Sequence, residues 1–182
     1  MMRKIRLAAA AALALAPGFA SATVLPGPIS GDVGGITNLE CAAPTVTAAA
    51  YTAGNVVGGL VTLPNIFGPK NSGVIESVQI NFKSAQTAEF DVSFFKAQPS
   101  NSTFTDHAAP AIAAADAFSV LPLLQLTNPK SVLGTETTYG QSGLGTALNT
   151  GSTSLWLVVT TPGTPTPAST TDMQVCVTVL AD

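Results

Sequence analysis

Two stretches of strict alternation limit what this chain can fold into. In residues 77–83, Val78, Ile80 and Phe82 alternate with Ser77, Gln79, Asn81 and Lys83. In residues 89–96, Phe90, Val92 and Phe94 alternate with Glu89, Asp91 and Ser93. A period of two gives an extended chain one dry face and one wet face, whereas a helix would scatter both sets around its axis. The short polar link at 84–87 makes the pair a predicted antiparallel hairpin.

The remaining pattern is also β. Residues 45–51 and 56–63 read as short strands separated by the turn-like Gly54-Asn55. A long loop is expected at 97–109, and the alanine-rich 111–117 reads as a short helix. Residues 118–126 form an apolar strand in which Pro122 favours an edge or a bulge. The stretch 135–153 has four glycines and few large side chains, as in a hairpin or an exposed arm. Residues 155–161 (LWLVVTT) are continuously apolar, as in a strand covered on both faces, and the proline-rich 162–169 is expected to be an extended loop. The last strand, 172–180, sets Met173, Val175, Val177 and Val179 against Gln174, Cys176 and Thr178. With no long amphipathic helix and no internal repeat, the expected fold is all-β. It is a single antiparallel β-sandwich or jelly-roll-like domain of about seven or eight strands.

The start of the chain reads as an export signal. Arg3, Lys4 and Arg6 precede an apolar run from Leu7 to Ala16, and Ala20-Ser21-Ala22 offers a small-residue cleavage site. The apolar run is too short for a helix to cross a hydrocarbon layer of roughly 30 Å. The expected organisation is a signal peptide at 1–22, a flexible N-terminal lead-in at 23–44 and the β-sandwich at 45–182. The product would be exported to the periplasm, the cell surface or the medium, with no membrane span after signal removal.

Cleavage would leave 4 basic residues, all lysines, against 10 acidic ones. Without arginine forks or clustered positive charge, nucleic acid is not an expected partner. Cys41 and Cys176 are the only cysteines, and in an exported chain they are expected to form a disulfide. It would pin the N-terminal segment over the wetter face of the last strand. The chain-entropy model assigns a loop of this length about 4–5 kcal/mol at most.

Three segments resemble a family of small phage-virion β-domains found on the heads or tails of tailed phages. They are Tyr51-Thr52-Ala53-Gly54-Asn55-Val56-Val57-Gly58-Gly59, Ser72-Gly73-Val74-Ile75, and Pro99-Ser100-Asn101-Ser102-Thr103-Phe104-Thr105-Asp106. Ala114-Ala115-Asp116 follows in the expected place. The resemblance spans about residues 51–126. It implies a β-sandwich-like domain that decorates or assembles, and its motifs have structural roles only. An export signal is atypical for such a family, which points to an exported relative.

Chemical motifs are sparse. His107, the only histidine, has no metal-ligand spacing, and no G-x-S-x-G elbow is present. Glu89 and Asp91 share a strand face, which alternation explains without catalysis. Asn101, Asp106 and Asp116 carry oxygens suited to calcium but match no known calcium-loop spacing. Gly54, Gly58 and Gly59 form no dinucleotide fingerprint. Trp156 is read as core, and Tyr139 as the exposed aromatic for ligand contact. No catalytic residue, cofactor or metal is expected.

The expected function is therefore an exported non-enzymatic structural or interaction module, envelope-associated or surface-displayed. A carbohydrate-binding module is the alternative, and a small secreted hydrolase is the third class. The partner would be a protein or glycan surface, and self-association into a homo-oligomer is left open.

Overall fold

The computed structural model describes residues 36–127 and 131–182. The segment read as a signal peptide and the first part of the lead-in lie outside the described residues. Among the described residues there are nine strands: β1 (Ile36–Ala42), β2 (Val56–Leu63), β3 (Ser72–Phe82), β4 (Phe90–Phe95), β5 (Leu124–Leu126), β6 (Ser131–Leu133), β7 (Glu136–Asn149), β8 (Leu155–Thr160) and β9 (Met173–Ala181). They form two antiparallel sheets, β1-β9-β3-β7-β6 and β2-β8-β4-β5, stacked as a sandwich.

The two alternating stretches are β3 and β4, and their dry faces are buried as the period requires. Val78, Ile80, Phe82, Phe90, Val92 and Phe94 all belong to the central core. They do not form a hairpin. β3 lies in the larger sheet and β4 in the smaller, so the link between them arches over the core. Phe82 and Phe90 therefore meet across the sandwich, ring centroids 5.0 Å apart and nearly parallel. Six of the eight connections between described strands cross from one sheet to the other in this way. Strands adjacent in sequence are thus mostly partners across the core, joined by side chains and not by a hydrogen-bond ladder.

The arch is held by Gln86, which is buried yet fully employed. Its Nε2 donates to Ser84 Oγ at 2.7 Å and to the Thr166 carbonyl at 3.1 Å. Its Oε1 accepts from Thr166 N–H at 3.1 Å. Its backbone N–H donates to Thr137 Oγ1 at 3.0 Å. A buried amide with every group paired fixes one arrangement, because breaking any bond strands a polar atom away from water.

Several expectations are corrected. The lead-in at 23–44 ends in β1, a seven-residue edge strand paired along its length with β9, so the sandwich begins before residue 45. The expected strand at 45–51 is a loop. The expected helix at 111–117 is replaced by turns and one 3-10 turn at Ala117–Ser119, because Thr103 and Ala111 form a bridge that keeps the backbone extended at its start. The apolar strand at 118–126 shrinks to the three-residue β5 at the sheet edge, beginning just after Pro122. The glycine-rich 135–153 is no arm. It holds β7, 14 residues long and laddered to β3, with Gly143 and Gly145 at positive φ where the register shifts.

β8 is buried on both faces. Its inner side chains join the central core. On its outer face, Trp156 and Val158 pack with Val56 and Phe95, and Leu60, Phe104 and Val120 close over them. The loop that follows β4 thus lies over the smaller sheet and supplies a second, thinner core.

Candidate functional site

Two loops distant in sequence converge on Asp106. The turn at 51–59 and the loop at 99–106 are distant in sequence, but the loop's last residue reaches into the turn. The Asp106 carboxylate accepts from Thr47 Oγ1 at 2.7 Å, from the Tyr51 hydroxyl at 2.7 Å and from Gly58 N–H at 2.6 Å. The Tyr51 hydroxyl in turn accepts from Thr47 N–H at 2.8 Å. Main-chain bonds complete the clasp: Val56 N–H donates to the Ala108 carbonyl at 2.8 Å, and His107 N–H to the Val56 carbonyl at 2.9 Å.

Gly58 is required at this point. Its φ is +83°, and a Cβ would meet Pro44 carbon atoms at 2.8 Å. Burial pushes the Asp106 carboxyl up, but the bonds from Gly58, Thr47 and Tyr51 outweigh it and hold the group below the usual carboxylate range. The Tyr51 hydroxyl is pushed up, first by burial and then by the bond to Asp106.

His107 belongs to the same clasp. Its φ is 62°, its ring stands edge-on to Tyr51 at 4.8 Å, and Nε2 lies 2.9 Å from the Ala50 carbonyl oxygen. A carbonyl only accepts, so Nε2 is the donor. That nitrogen is committed to the backbone, and among the described residues no serine bonds to the ring. The arrangement is a loop anchor.

A second carboxylate repeats this logic. Asp116 accepts from Asn101 N–H at 2.9 Å, Asn101 Nδ2 at 3.2 Å and Ser102 Oγ at 2.7 Å. The Ser102 bond first, offset in part by burial and reinforced by Asn101, lowers its carboxyl below the ordinary range. Asn101, Asp106 and Asp116 thus separate into two sets of hydrogen-bonded anchors and do not converge on one point as the ligands of a cation would. Among the described residues no group of three His, Cys, Asp or Glu side chains is placed to hold a metal ion.

Tyr139 is not an exposed platform, and that expectation is corrected. It points into the core from β7, with Phe90 edge-on at 4.9 Å, and its hydroxyl donates to the Gln86 carbonyl at 3.0 Å. Burial raises its pKa to about 12. Its neighbours look like turn residues, and the Thr, Gly and Gln on either side offer no apolar alternation that would have marked the strand. Trp156 is core, as expected.

Cys41 and Cys176 form the expected disulfide, joining directly opposed residues of β1 and β9. Cys176 lies on the outward face, as the alternation required. The bridge does not fold the N-terminal segment over that face. It staples β1 beside β9, in the plane of the sheet.

The outward face of the larger sheet carries a shallow concavity of about 400 Å³ lined in part by Asn81, Lys83, Glu136, Thr138 and Gln174. Thr138 also borders a second hollow, lined by Ser77, Gln79, Gly140 and Ser142. Thr138 joins them into a trough of mixed lining, where amides and hydroxyls stand beside Phe82 and Met173, with Lys83 facing two carboxylates, Glu136 and Asp172. Among the described residues no helix is long and apolar enough to cross a membrane. The chain matches no family model and no curated protein sequence.

Proposed function

We propose that this chain is an exported, non-enzymatic β-sandwich that works through surface contacts, as an envelope-associated or surface-displayed structural module similar in build to phage-virion decoration domains. The observation that carries this reading is the use made of its reactive side chains. Asp106 and Asp116 accept from backbone N–H groups, hydroxyls and the Asn101 amide, and His107 gives its Nε2–H to a backbone carbonyl, and these bonds hold loops in place. Asp172 does the same at the arch, accepting from Ser84 N–H at 2.9 Å and Ala168 N–H at 2.8 Å. Each of these groups is accounted for by the loop it holds, and among the described residues the hydrogen-bond partner of the His107 ring is the Ala50 carbonyl and no serine.

The resemblance of residues 51–126 to virion β-domains supports the same reading, since its motifs build the clasp. The disulfide is compatible with an oxidising compartment. The experiment is a hydrolase substrate screen on the purified protein and on His107→Ala. No turnover is expected from either. Hydrolysis that disappears with His107→Ala overturns the reading.

The amides and hydroxyls of the trough favour carbohydrate binding as the second reading. Asn81, Gln174 and Thr138 offer neutral donors and acceptors of the kind that meet sugar hydroxyls. A glycan array probed with wild type and Gln174→Ala tests it. Glycan binding weakened by the substitution supports this reading, and no glycan binding overturns it.

A further inference from the structure

β1 is tied to the sandwich by little besides its backbone and one covalent bond. Its Ile36 and Leu39 are exposed, and of its apolar residues Ala42 alone packs against the central core. Asn38 Nδ2 adds a bond to the Ile66 carbonyl at 2.9 Å. The ladder to β9 and the Cys41–Cys176 bridge supply the rest. β9 does not depend on β1 in return. Met173, Val175, Val177 and Val179 are buried in the central core, and β3 pairs with the strand along its whole length. The chain is rooted again soon after β1. Val46 is buried and its N–H donates to the Thr170 carbonyl at 3.1 Å, and Thr47 enters the Asp106 clasp.

The two halves of the bridge are not equivalent. Cys41 is exposed, on an edge strand whose far side is unpaired among the described residues. Cys176 is buried, and its register partners are Cys41 on one side and Gln79 of β3 on the other. In thiol–disulfide exchange a thiolate displaces one sulfur from the other, so access decides which sulfur is attacked. The open approach leads to Cys41.

We infer that the Cys41–Cys176 bridge is a redox latch, opened in the folded protein by a dithiol that attacks Cys41 and frees β1. One thiolate of the dithiol bonds to Cys41 Sγ. The S–S bond breaks, and Cys176 leaves as a thiolate and takes up a proton. The second thiol of the dithiol then displaces Cys41 as its thiolate, which is protonated in turn. The dithiol ends as a disulfide and the protein as two thiols, an exchange of two electrons. With β1 released, the edge of β9 from Val175 to Ala181 presents unpaired N–H and C=O groups, the condition in which a strand pairs with other chains. The latch sets whether the larger sheet ends in a fastened strand or an open one, and it depends on neither functional reading above.

The test follows reduction of the purified, oxidised protein by dithiothreitol, with acid quenching and mass spectrometry. Opening in the folded state makes the rate independent of global stability. Val92→Ala, which leaves a cavity in the smaller sheet's side of the core, should be reduced within about twofold of wild type. Wild type in urea below its unfolding transition should behave the same way, which keeps the test valid if Val92→Ala fails to fold. A rate that climbs in step with the loss of global stability means that the bridge is reached only after unfolding, and overturns the inference. With glutathione in place of the dithiol, peptide mapping should find the adduct on Cys41, and an adduct on Cys176 overturns the inference. In excess dithiothreitol, Glu-C endoproteinase should cut after Glu40 in β1 about tenfold faster than in the oxidised protein, with Glu76 in β3 still protected. Protection of Glu40 that survives reduction overturns the latch, and so does cleavage at Glu76 that keeps pace with Glu40.

Discussion

The Tyr51 hydroxyl donates to Asp106 Oδ1 at 2.7 Å across 55 positions of sequence, and this bond locks the turn before β2 to the loop that covers the smaller sheet. Removing the hydroxyl with Tyr51→Phe leaves a half-buried carboxylate short of a donor. The expected cost is about 1.5–3 kcal/mol, the range for hydrogen bonds to charged groups. Urea unfolding of wild type and variant at neutral pH measures it.

Acid should weaken the same clasp. Asp106 is held below its ordinary pKa in the folded chain, so its ionised form favours the native state. Its contribution is complete above the unfolded carboxylate pKa of about 3.9 and is lost as pH falls through the lower folded value. Asp116 acts in the same direction. Asp106→Asn should be less stable than wild type at pH 6 and should approach it near pH 2. Thermal melts across that window test the convergence, and parallel curves would show that Asp106 does not titrate this way.

Asp91 should behave oppositely. Among the described residues its Oδ1 is a buried side-chain atom without a hydrogen-bond partner. Burial first, and the charge of Glu89 second, push its carboxyl above the usual value. The penalty is present above the folded pKa and fades as pH falls through it. Asp91→Asn should therefore stabilise the protein at neutral pH by about 1 kcal/mol, with the gain shrinking in acid. Melting temperatures at pH 7 and pH 4 decide the matter.

Two glycines at positive φ should differ in what alanine costs. Gly58 and Gly54 have φ of +83° and +88°, but a Cβ meets Pro44 at 2.8 Å at the first and nothing within 4 Å at the second. Both substitutions incur left-handed strain of about 1–2 kcal/mol, and only Gly58→Ala adds a clash. Gly58→Ala should unfold at clearly lower urea than Gly54→Ala.

Reducing the Cys41–Cys176 bridge should loosen β1 first. No β1 residue is fully buried, and the strand has one ladder, to β9. Hydrogen exchange under reductant should speed at β1 amides while β3 and β9 stay protected. Global stability should fall by about 2–4 kcal/mol.

The strands were legible where side chains alternate or cluster. β3, β4, β8 and β9 follow from Phe82, Phe90, Trp156 and Val177 and their neighbours, and the disulfide followed from having two cysteines. Partnership was not legible. Phe82 and Phe90 carry the same pattern whether their strands lie side by side or face each other, so the hairpin expectation failed. β7 was hidden for a different reason. A ladder needs only backbone, and glycines with small side chains between Tyr139 and Leu148 gave no apolar signal. The anchors were half visible: Asp106 and Asp116 stood out as chemistry, and so did Asn101, but as oxygens for a cation and not as carboxylates accepting from backbone N–H groups, hydroxyls and the Asn101 amide, donors that no spacing marks.

The order of strands also sets when the fold can close. β9 comes last in sequence among the described strands, yet it lies inside the larger sheet, between β1 and β3. Until residues 173–181 are available, β1 has no neighbour to pair with and β3 has only β7. The two halves of that sheet cannot zip progressively from the first strand onward. They wait for an insertion at the end, so folding should be a single late event dominated by distant pairings, and slow for a domain of this size.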